Sequence, residues 1–298
     1  MTMSFSRRQA LAGSLLAIPT LAAFSSIARA ERGGEAENKL AELERRHPGR
    51  FCVTILDLGS GRRIQHRADE RILMCSTFKA LLAALVLAHV DKGEGKLDER
   101  IKFTRKDLVT MNSPVTEAHV DGPGLTVAEL CDAIVTRSDN TAANLLLARF
   151  GGPAAVTAFC RRLGDDITRL DRTEPTLNIH DGPDDQRDTT TAAAMAETLR
   201  KLLFTDVLSA ASRSQLAAWL ITNKTGNTRL RAGLPGDWLV GDKTGTNGDE
   251  YGNNNDIAVI WPPDRAPLIV TAFCEIPRIS SRDRDAVIAE IGHIASQV

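Results

Sequence analysis

A short tetrad, Ser76-Thr77-Phe78-Lys79, stands at the start of an apolar run that extends from Ala80 to Val90. If this run is helical, the side chains of Ser76 and Lys79 lie on one face, one above the other. A free serine hydroxyl is a weak nucleophile, and a neighbouring amine can act as the base that activates it. Because Ser-x-x-Lys occurs about once by chance in a chain of this length, its significance depends on the groups that the rest of the sequence supplies.

The pattern of apolar residues predicts strands at both ends of the chain and helices between them. From residue 76 to residue 223 the apolar residues recur at helical spacing, and a capping box at Thr126 and Glu129 marks one helix start. A final amphipathic helix is predicted to run to Val298. The predicted strands cover residues 51–58, a segment near residue 64, and residues 238–243, 256–261 and 268–275.

This order of elements predicts an α/β protein of two domains. Short connections between successive strands favour antiparallel pairing, so the two chain ends are expected to form one antiparallel β-sheet flanked by terminal helices. The sheet domain would comprise residues 31–68 and 222–298, and an all-helical domain residues 69–221. Within the latter, residues 165–188 form a long aperiodic loop, a kind of segment that is usually functional. We expect the active site in the cleft between the domains.

Composition argues against several kinds of partner. The 298 residues are 43% hydrophobic and 25% charged, as in an ordinary globular protein. The net charge of −1 gives no reason to expect nucleic acid or an anionic membrane surface. No metal-binding or phosphate-binding motif occurs, so no metal and no cofactor are expected. Most cysteines are predicted to be buried thiols, because their number is odd and no Cys-x-x-Cys occurs. The cysteines are Cys52, Cys75, Cys131, Cys160 and Cys274.

The first thirty residues have the pattern of an export signal. Arg7 and Arg8 precede an apolar stretch of small residues, and Ala28-Arg29-Ala30 matches a cleavage site. The paired arginines indicate twin-arginine export, with a general secretion signal as the alternative. Either route predicts cleavage near Ala30 and a periplasmic or secreted protein without a membrane span. Residues 31–38 are polar and are predicted to form a loose tail.

Three further polar clusters accompany the tetrad. Ser138-Asp139-Asn140 lies between two predicted helices, and Lys243-Thr244-Gly245-Thr246 lies at a strand end. The third, Glu174-Pro175-Thr176-Leu177-Asn178, lies in the long loop. Taken singly, each has an ordinary explanation as a helix cap, a strand end with a turn, or a solvated loop charge. Their occurrence together is what indicates chemistry.

In this order and at these separations, the four clusters resemble the motifs of the class A serine β-lactamases, within the superfamily of penicillin-binding proteins and serine β-lactamases. The resemblance covers the chain from about residue 38 to residue 298. It implies hydrolysis of the β-lactam ring of penicillins and cephalosporins through a serine acyl-enzyme, and hence antibiotic resistance. The implied partners are small β-lactams and a catalytic water, and the protein is expected to be a monomer.

The resemblance also implies residue roles. Ser76 would be the nucleophile, and either Lys79 or Glu174 acting through a water would be the acylation base. Ser138 would protonate the departing lactam nitrogen, and Glu174 would activate the water that hydrolyses the acyl-enzyme. The implied substrate-binding residues are Asn140, Asn178, Lys243, Thr244, Gly245, Thr246 and Arg229. Structural support is implied for Asp139 as a helix cap, and for Arg172 and Asp188 as a pair across the neck of the loop.

Departures from the family pattern concern the substrate range. Many members have an aromatic residue before Ser-Pro-Val at the cleft mouth, where this chain has Asn112. Members that hydrolyse carbapenems often join the cysteine before the nucleophile to one after Lys-Thr-Gly. Here Cys75 is present but Asn247 stands in the second position, so this disulfide cannot form. Thr246 with Arg229 instead resembles broad-spectrum members. Penicillins and cephalosporins are therefore the expected substrates, and carbapenems are left open.

Two other functions share the serine–lysine machinery. One is a penicillin-binding D,D-peptidase, and the other is a β-lactam sensor that stays acylated. Both lack the loop glutamate that activates water, whereas this chain has Glu174 with Asn178 four residues later. A sensor would also need a membrane segment, and none follows the export signal. The sequence therefore favours the hydrolase.

Overall fold

The computed structural model describes residues 34–182, 184–248 and 250–298. The predicted export signal over residues 1–30 and its cleavage site lie outside these residues. Within them, no single helix is both long and apolar enough to cross a membrane. One pair of consecutive helices reaches the required length together, and it is bent by 76°.

The strands form one large antiparallel sheet and two short ribbons. Their bounds are β1 Arg50–Asp57, β2 Arg63–His66, β3 Ile72–Leu73, β4 Arg100–Ile101, β5 Leu125–Thr126, β6 Thr189–Thr190, β7 Leu239–Thr246, β8 Asn253–Trp261 and β9 Leu268–Glu275. The large sheet has the order β2-β1-β9-β8-β7, and β3 pairs with β6 and β4 with β5. The N-terminal hairpin thus pairs with the last C-terminal strand, which confirms the prediction that the two chain ends share one antiparallel sheet.

The helices cover the two faces of this sheet. Their bounds are α1 over residues 34–46, α2 Phe78–Asp91, α3 Pro114–Ala118, α4 Val127–Thr136, α5 Asn140–Arg149, α6 Gly152–Arg162, α7 Ala192–Phe204, α8 Ala210–Ile221, α9 Leu230–Gly233 and α10 Ser281–Ser296. Several begin at a hydroxyl or carboxylate cap that accepts a first-turn N–H. These caps are Thr126, Asp139, Thr191, Ser209 and Ser280.

The sheet separates two apolar cores. On one face, α1, α9 and α10 bury residues such as Leu40, Leu230 and Ile291. On the other face, the helices from α2 to α8 form a larger core, in which α2 is buried from Phe78 to Leu87. A helix that is apolar on all sides belongs at the centre of such a core. The helix that follows the Ser76–Lys79 tetrad is therefore packed on every side.

Three sequence predictions are wrong at the ends of elements. Residues 34–38, predicted as a loose tail, begin α1, because Ala36, Leu40 and Leu43 form a stripe buried against the sheet. The strand predicted over 238–243 extends to residue 246, and the strand predicted over 256–261 begins at residue 253. The polar residues Thr246 and Asn254 are paired across the ladder, so hydrogen bonding continues where polarity indicated a turn.

The long loop is present as predicted. Between residues 165 and 188, the described residues contain one short 3₁₀ turn, Thr176–Asn178, and no helix or strand. The predicted domain boundaries fall just after β2 and at the end of α8. The division into a sheet domain (31–68 with 222–298) and a helical domain (69–221) stays a prediction.

Candidate active site

Ser76 and Lys79 lie together at the start of α2. Ser76 is the middle residue of a 3₁₀ turn, Cys75–Thr77, that runs directly into the helix. Lys79 Nζ lies 2.9 Å from Ser76 Oγ, so the predicted hydroxyl–amine pair is formed. Lys79 is completely buried, whereas Ser76 lines a cleft. A serine hydroxyl in contact with a buried amine is the arrangement that nucleophilic catalysis requires.

Four acceptors lie closest to the Lys79 amine. Besides Ser76 Oγ, they are Ser138 O at 2.8 Å, Asn140 Oδ1 at 2.5 Å and Glu174 Oε1 at 2.9 Å. Burial lowers the pKa of Lys79, and the Glu174 carboxylate opposes this shift. An ammonium has three protons, so it cannot donate to all four acceptors at once. The network is suited to moving a proton among Ser76, Lys79 and Glu174.

The long loop brings Glu174 to Ser76. Its Oε1 lies 3.3 Å from Ser76 Oγ, and its Oε2 accepts a hydrogen bond from Asn178 Nδ2 at 2.7 Å. Asn144 on α5 holds the main chain of Glu174 in two places. Its Oδ1 accepts the Glu174 N–H at 3.0 Å, and its Nδ2 donates to Glu174 O at 2.9 Å. The carboxylate is therefore fixed between Ser76 and Asn178.

The predicted ion pair at the neck of the loop is present. Arg172 Nε lies 2.6 Å from Asp188 Oδ2, and Asp188 is completely buried. Asp188 Oδ1 also accepts the main-chain N–H groups of Asp171 and Arg172, at 2.7 and 3.0 Å. A buried carboxylate is stable only with such partners. The pair therefore closes the loop and fixes the direction from which Glu174 enters the cleft.

The turn between α4 and α5 presents Ser138 and Asn140 to Lys79. Asp139, between them, caps α5 by accepting the Ala142 N–H at 2.9 Å. Its other carboxylate oxygen accepts the N–H groups of residues 115 and 116, both at 2.9 Å. These bonds tie the turn to α3. The cap predicted for Asp139 is thus present.

A second buried amine reaches the same turn from β7. Lys243 Nζ lies 3.1 Å from Ser138 Oγ and donates to Thr244 O at 2.7 Å. Burial and the nearby charge of Lys79 lower the pKa of Lys243. The Lys79 amine lies 3.4 Å from the same Ser138 hydroxyl. Ser138 is therefore placed between two amines, a suitable position for a proton relay.

Gly245 lets β7 approach the Cys75–Thr77 turn. A Cβ at this position would lie 2.6 Å from Met74 O, which is closer than a real side chain can come. The absence of a side chain therefore allows the strand to lie against the turn. As a result, Ser76 and Thr246 line the same cleft.

Arg229 lies behind Thr246 and is almost saturated with hydrogen bonds. Its Nε donates to Asp285 Oδ1 at 2.7 Å, its Nη1 to Gly245 O at 2.9 Å and Asn255 O at 2.7 Å, and its Nη2 to Thr246 Oγ1 at 2.6 Å. Nε and Nη2 each donate once and Nη1 donates twice, so four of the five guanidinium N–H groups are used. Because Thr246 Oγ1 accepts from Arg229, the proton of the Thr246 hydroxyl is free to point into the cleft.

These side chains converge on a cleft of about 270 Å³. Eight predicted site residues line it: Ser76, Ser138, Asn140, Glu174, Asn178, Arg229, Thr244 and Thr246. Lys79 and Lys243 lie behind this surface, in contact with Ser76 and Ser138. The structure thus brings together clusters that lie far apart in the sequence. The most distant pair, Ser76 and Thr246, is separated by 170 positions.

Sequence analysis misses several residues of this region. Thr225 lines the cleft with its Oγ1 2.6 Å from Thr244 Oγ1, and Met111 lines it with a side chain that is 63% exposed. Asp285, the partner of Arg229, lies 56 residues further along the chain on α10. Thr225 lies in a polar run directly after α8, and such a run is only a weak indication of a binding residue. Nothing in the sequence connects Asp285 to Arg229.

The five cysteines are buried and unpaired, as predicted for most of them. Burial raises the pKa of Cys52 to about 12 and also raises the pKa of Cys75 beside the nucleophile. Asn247 uses its amide to donate to Asn253 Oδ1 at 2.8 Å. The position that could have held a partner for Cys75 is therefore occupied by a hydrogen-bonded amide.

The fold and the site together define a class of protein. A serine in contact with a buried lysine, with a loop carboxylate beside it and a second hydroxyl between two amines, is the machinery of a serine hydrolase that forms an acyl-enzyme. The model of the β-lactamase enzyme family matches residues 35–298 of the chain. The chain belongs to this family, and specifically to the class A serine β-lactamases.

Individual relatives agree with this assignment. The chain is 48% identical to β-lactamase L2 of Stenotrophomonas maltophilia over 294 residues, which cover 97% of this chain and 95% of the relative. It is 44% identical to β-lactamase Toho-1 of Escherichia coli over 288 residues, covering 96% and 97%. Among solved structures, it is similar to the ancestral (GNCA) class A β-lactamase, with 62% identity, a TM-score of 0.84, and coverage of 87% of this chain and 98% of that one.

These findings confirm the predicted fold class and enzyme. The protein is a serine β-lactamase that hydrolyses β-lactams, the reaction that confers resistance to these antibiotics. The relatives named above are β-lactamases, so the comparisons favour the hydrolase over the D,D-peptidase and the sensor.

Proposed function

We propose that this enzyme opens the ring of penicillins and cephalosporins by acylation of Ser76. Ser76 Oγ attacks the lactam carbonyl carbon, and its proton passes to Lys79, or to Glu174 through a water. The carbon–nitrogen bond of the ring breaks, and the Ser138 hydroxyl protonates the departing nitrogen while it takes a proton from Lys79. If Lys79 is the base, the proton removed from Ser76 ends on the former ring nitrogen. If Glu174 is the base, that proton passes from Glu174 to Lys79, 2.9 Å away, and replaces the one given to Ser138. On either route the substrate stays attached as an ester.

The oxyanion that forms during this attack needs donors fixed in advance. The main-chain N–H groups of Ser76 and Thr246 are proposed to supply them, since both residues line the cleft and Gly245 permits their approach. Removing one such donor typically costs ~10²–10³ in rate.

Glu174 is the proposed general base of deacylation, and its position is the observation that carries the proposal. One carboxylate oxygen lies 3.3 Å from Ser76 Oγ and the other 2.7 Å from Asn178 Nδ2. Among the described residues, Asn178 Oδ1 is buried and has no partner, so it can accept a hydrogen bond from the attacking water. Glu174 takes a proton from that water, which attacks the ester carbonyl. The bond to Ser76 Oγ then breaks, and the proton returns to Ser76.

Three hydroxyls and two basic side chains are proposed to bind the substrate carboxylate. Thr225, Thr244 and Thr246 line one wall of the cleft, and Lys243 and Arg229 lie directly behind them. Hydrogen bonds that join a charged group are roughly twice as strong as neutral ones. Arg229 acts mainly through Thr246, because four of its N–H groups are already used within the protein.

Thr246→Val is expected to raise KM for both a penicillin and a cephalosporin. The change removes the hydroxyl but keeps the shape, and a hydrogen bond to a charged group is worth roughly 1.5–3 kcal/mol, or about tenfold and more in binding. Steady-state kcat and KM measure the effect.

Arg229→Gln should raise KM too. The double variant should lose less binding free energy than the two single variants together, because both residues serve one carboxylate. Thr222→Val, at an exposed threonine, is the control. Unchanged KM in Thr246→Val would refute this subsite.

We also propose that residues 1–30 direct export and that the mature protein acts as a monomer in the periplasm or outside the cell. Support for export comes from Arg7-Arg8, the apolar stretch and the Ala28-Arg29-Ala30 site. Support for the monomer comes from the cleft, because every group of the site described above belongs to one chain.

Replacing Arg7 and Arg8 together by lysine is expected to stop twin-arginine export. The protein should then accumulate inside a bacterial host with its leader attached, and periplasmic β-lactamase activity should fall sharply. Fractionation and intact mass measure both effects, with the wild-type protein expected to begin at Glu31. Undiminished periplasmic activity of the double variant would favour a general secretion signal.

A further inference from the structure

Asn112, at the mouth of the cleft, hydrogen-bonds the same carbonyl group that Lys79 uses. Asn112 Nδ2 donates to Ser138 O at 2.7 Å, and Lys79 Nζ donates to that oxygen at 2.8 Å. A carbonyl oxygen has two lone pairs, so these two donors occupy both of them. A residue at the edge of the cleft is therefore joined to the catalytic amine through a single shared atom.

Two further hydrogen bonds fasten the same segment to the turn. Asn112 O accepts the main-chain N–H of Asn140 at 2.9 Å, and Met111 O accepts Asn140 Nδ2 at 2.8 Å. The Oδ1 of that same Asn140 amide is the closest acceptor of Lys79, at 2.5 Å. Residues 111 and 112 thus hold the two groups of the turn that lie closest to the Lys79 amine.

The backbone conformation explains why an asparagine suits this position. Asn112 has φ of +53°, in the left-handed region that asparagine tolerates better than most residues. Ser138, its partner, is also left-handed, with φ of +58°. An aromatic residue, which many class A members carry at the cleft mouth, has no amide N–H to give. In this chain the position offers a donor to the turn where those members offer an apolar surface.

We propose that Asn112 is a positioning residue for acylation, which fixes the Lys79 amine against Ser76 Oγ through Ser138 O and Asn140. This inference rests on the proposed roles of Ser76 and Lys79. The Lys79 Nζ to Ser76 Oγ distance is 2.9 Å, and a displacement of ~1 Å in a catalytic contact can cost ~10²-fold in rate. Loss of the Asn112 amide should therefore slow acylation much more than it weakens substrate binding.

Two variants test this proposal. Asn112→Gly keeps the left-handed backbone and removes the amide, and Asn112→Asp keeps the shape but exchanges the donor for a carboxylate. In stopped-flow experiments with a penicillin, we expect acylation to slow by ~10-fold or more in both variants, with the dissociation constant changed by less than about threefold. Asp121→Gly makes the same kind of change at another exposed left-handed residue and should acylate like the wild type.

The pH dependence of acylation adds a measurement that a purely structural role would not change. Lys79 is faced by Glu174 from the long loop, by Asp139 from the turn and by Lys243 from β7. A carboxylate at position 112 would favour the protonated form of Lys79. If Lys79 is the base, the acid limb of the acylation rate should therefore move to higher pH in Asn112→Asp.

Acylation at the wild-type rate in both variants would overturn the proposal. Slow acylation in Asn112→Gly with an equally large rise in the dissociation constant would also overturn it, because Asn112 would then act on substrate binding and not on the Lys79 amine. A wild-type protein that is not acylated at all would instead refute the proposed function. The two failures are therefore distinguishable.

Discussion

Glu174→Gln is expected to be acylated on Ser76 and then to stop. Glutamine keeps the size of the side chain and can still accept the hydrogen bond from Asn178, but it cannot take a proton from water. General-base catalysis contributes ~10²–10⁴-fold, so deacylation should slow by about that factor. The acyl-enzyme should then accumulate until it is the main form of the protein.

Intact mass after rapid quenching measures this accumulation as the protein plus one whole penicillin. Thr176→Val, at an exposed position of the same loop, is the matched control and should turn over normally. Deacylation of Glu174→Gln at the wild-type rate would remove Glu174 from its proposed role. The rate at which the adduct appears also separates the two candidate acylation bases, since slow formation would implicate Glu174 and undiminished formation would implicate Lys79.

Lys79→Arg is expected to abolish acylation although the positive charge is kept. The Lys79 amine is completely buried and touches Ser76, Ser138, Asn140 and Glu174. Burial lowers its pKa, which makes the neutral amine accessible, whereas a guanidinium stays protonated in proteins. An amine that relays the serine proton therefore cannot be replaced by arginine, and we expect a loss of ~10²–10⁴-fold.

The acylation rate constant from rapid quench measures this loss. Lys79→Met, which keeps the length of the side chain and fits the buried space, should be equally slow and shows that bulk is not the cause. Lys102→Arg, at an exposed lysine, is the control. If Lys79→Arg acylates within tenfold of the wild type, Lys79 acts through its charge alone and the proton relay proposed here is wrong.

Sequence patterns predict the architecture well wherever one element buries one continuous surface. The apolar run after Ser76 is α2 at the centre of the larger core, and the β9 strand matches its predicted bounds. The predictions fail where polar residues in the sequence obscure the pattern of a buried element. The stripe of α1 lies among charged residues, and the end of β7 is polar because it forms the wall of a cleft.

The residues of the site likewise divide into those that the sequence reveals and those that only the folded chain reveals. The clusters around Ser76, Ser138, Glu174 and Lys243 have characteristic compositions, so the sequence reveals them. Contacts that depend on the folded chain have no such signature. The Asn112 amide reaches Ser138 O across 26 residues, and Arg229 reaches Asp285 across 56. Only the assembled structure shows which polar groups support the catalytic ones.

The central claim is that Ser76 is acylated and released in every catalytic cycle. The most direct measurement mixes the purified mature protein with excess penicillin and follows protein mass and lactam absorbance in the same sample. We expect many equivalents of lactam to be consumed, with the protein back at its unmodified mass once the substrate is exhausted. Consumption of a single equivalent, with a stable adduct on the protein, would contradict the claim and would be the behaviour of a sensor or a penicillin-binding protein.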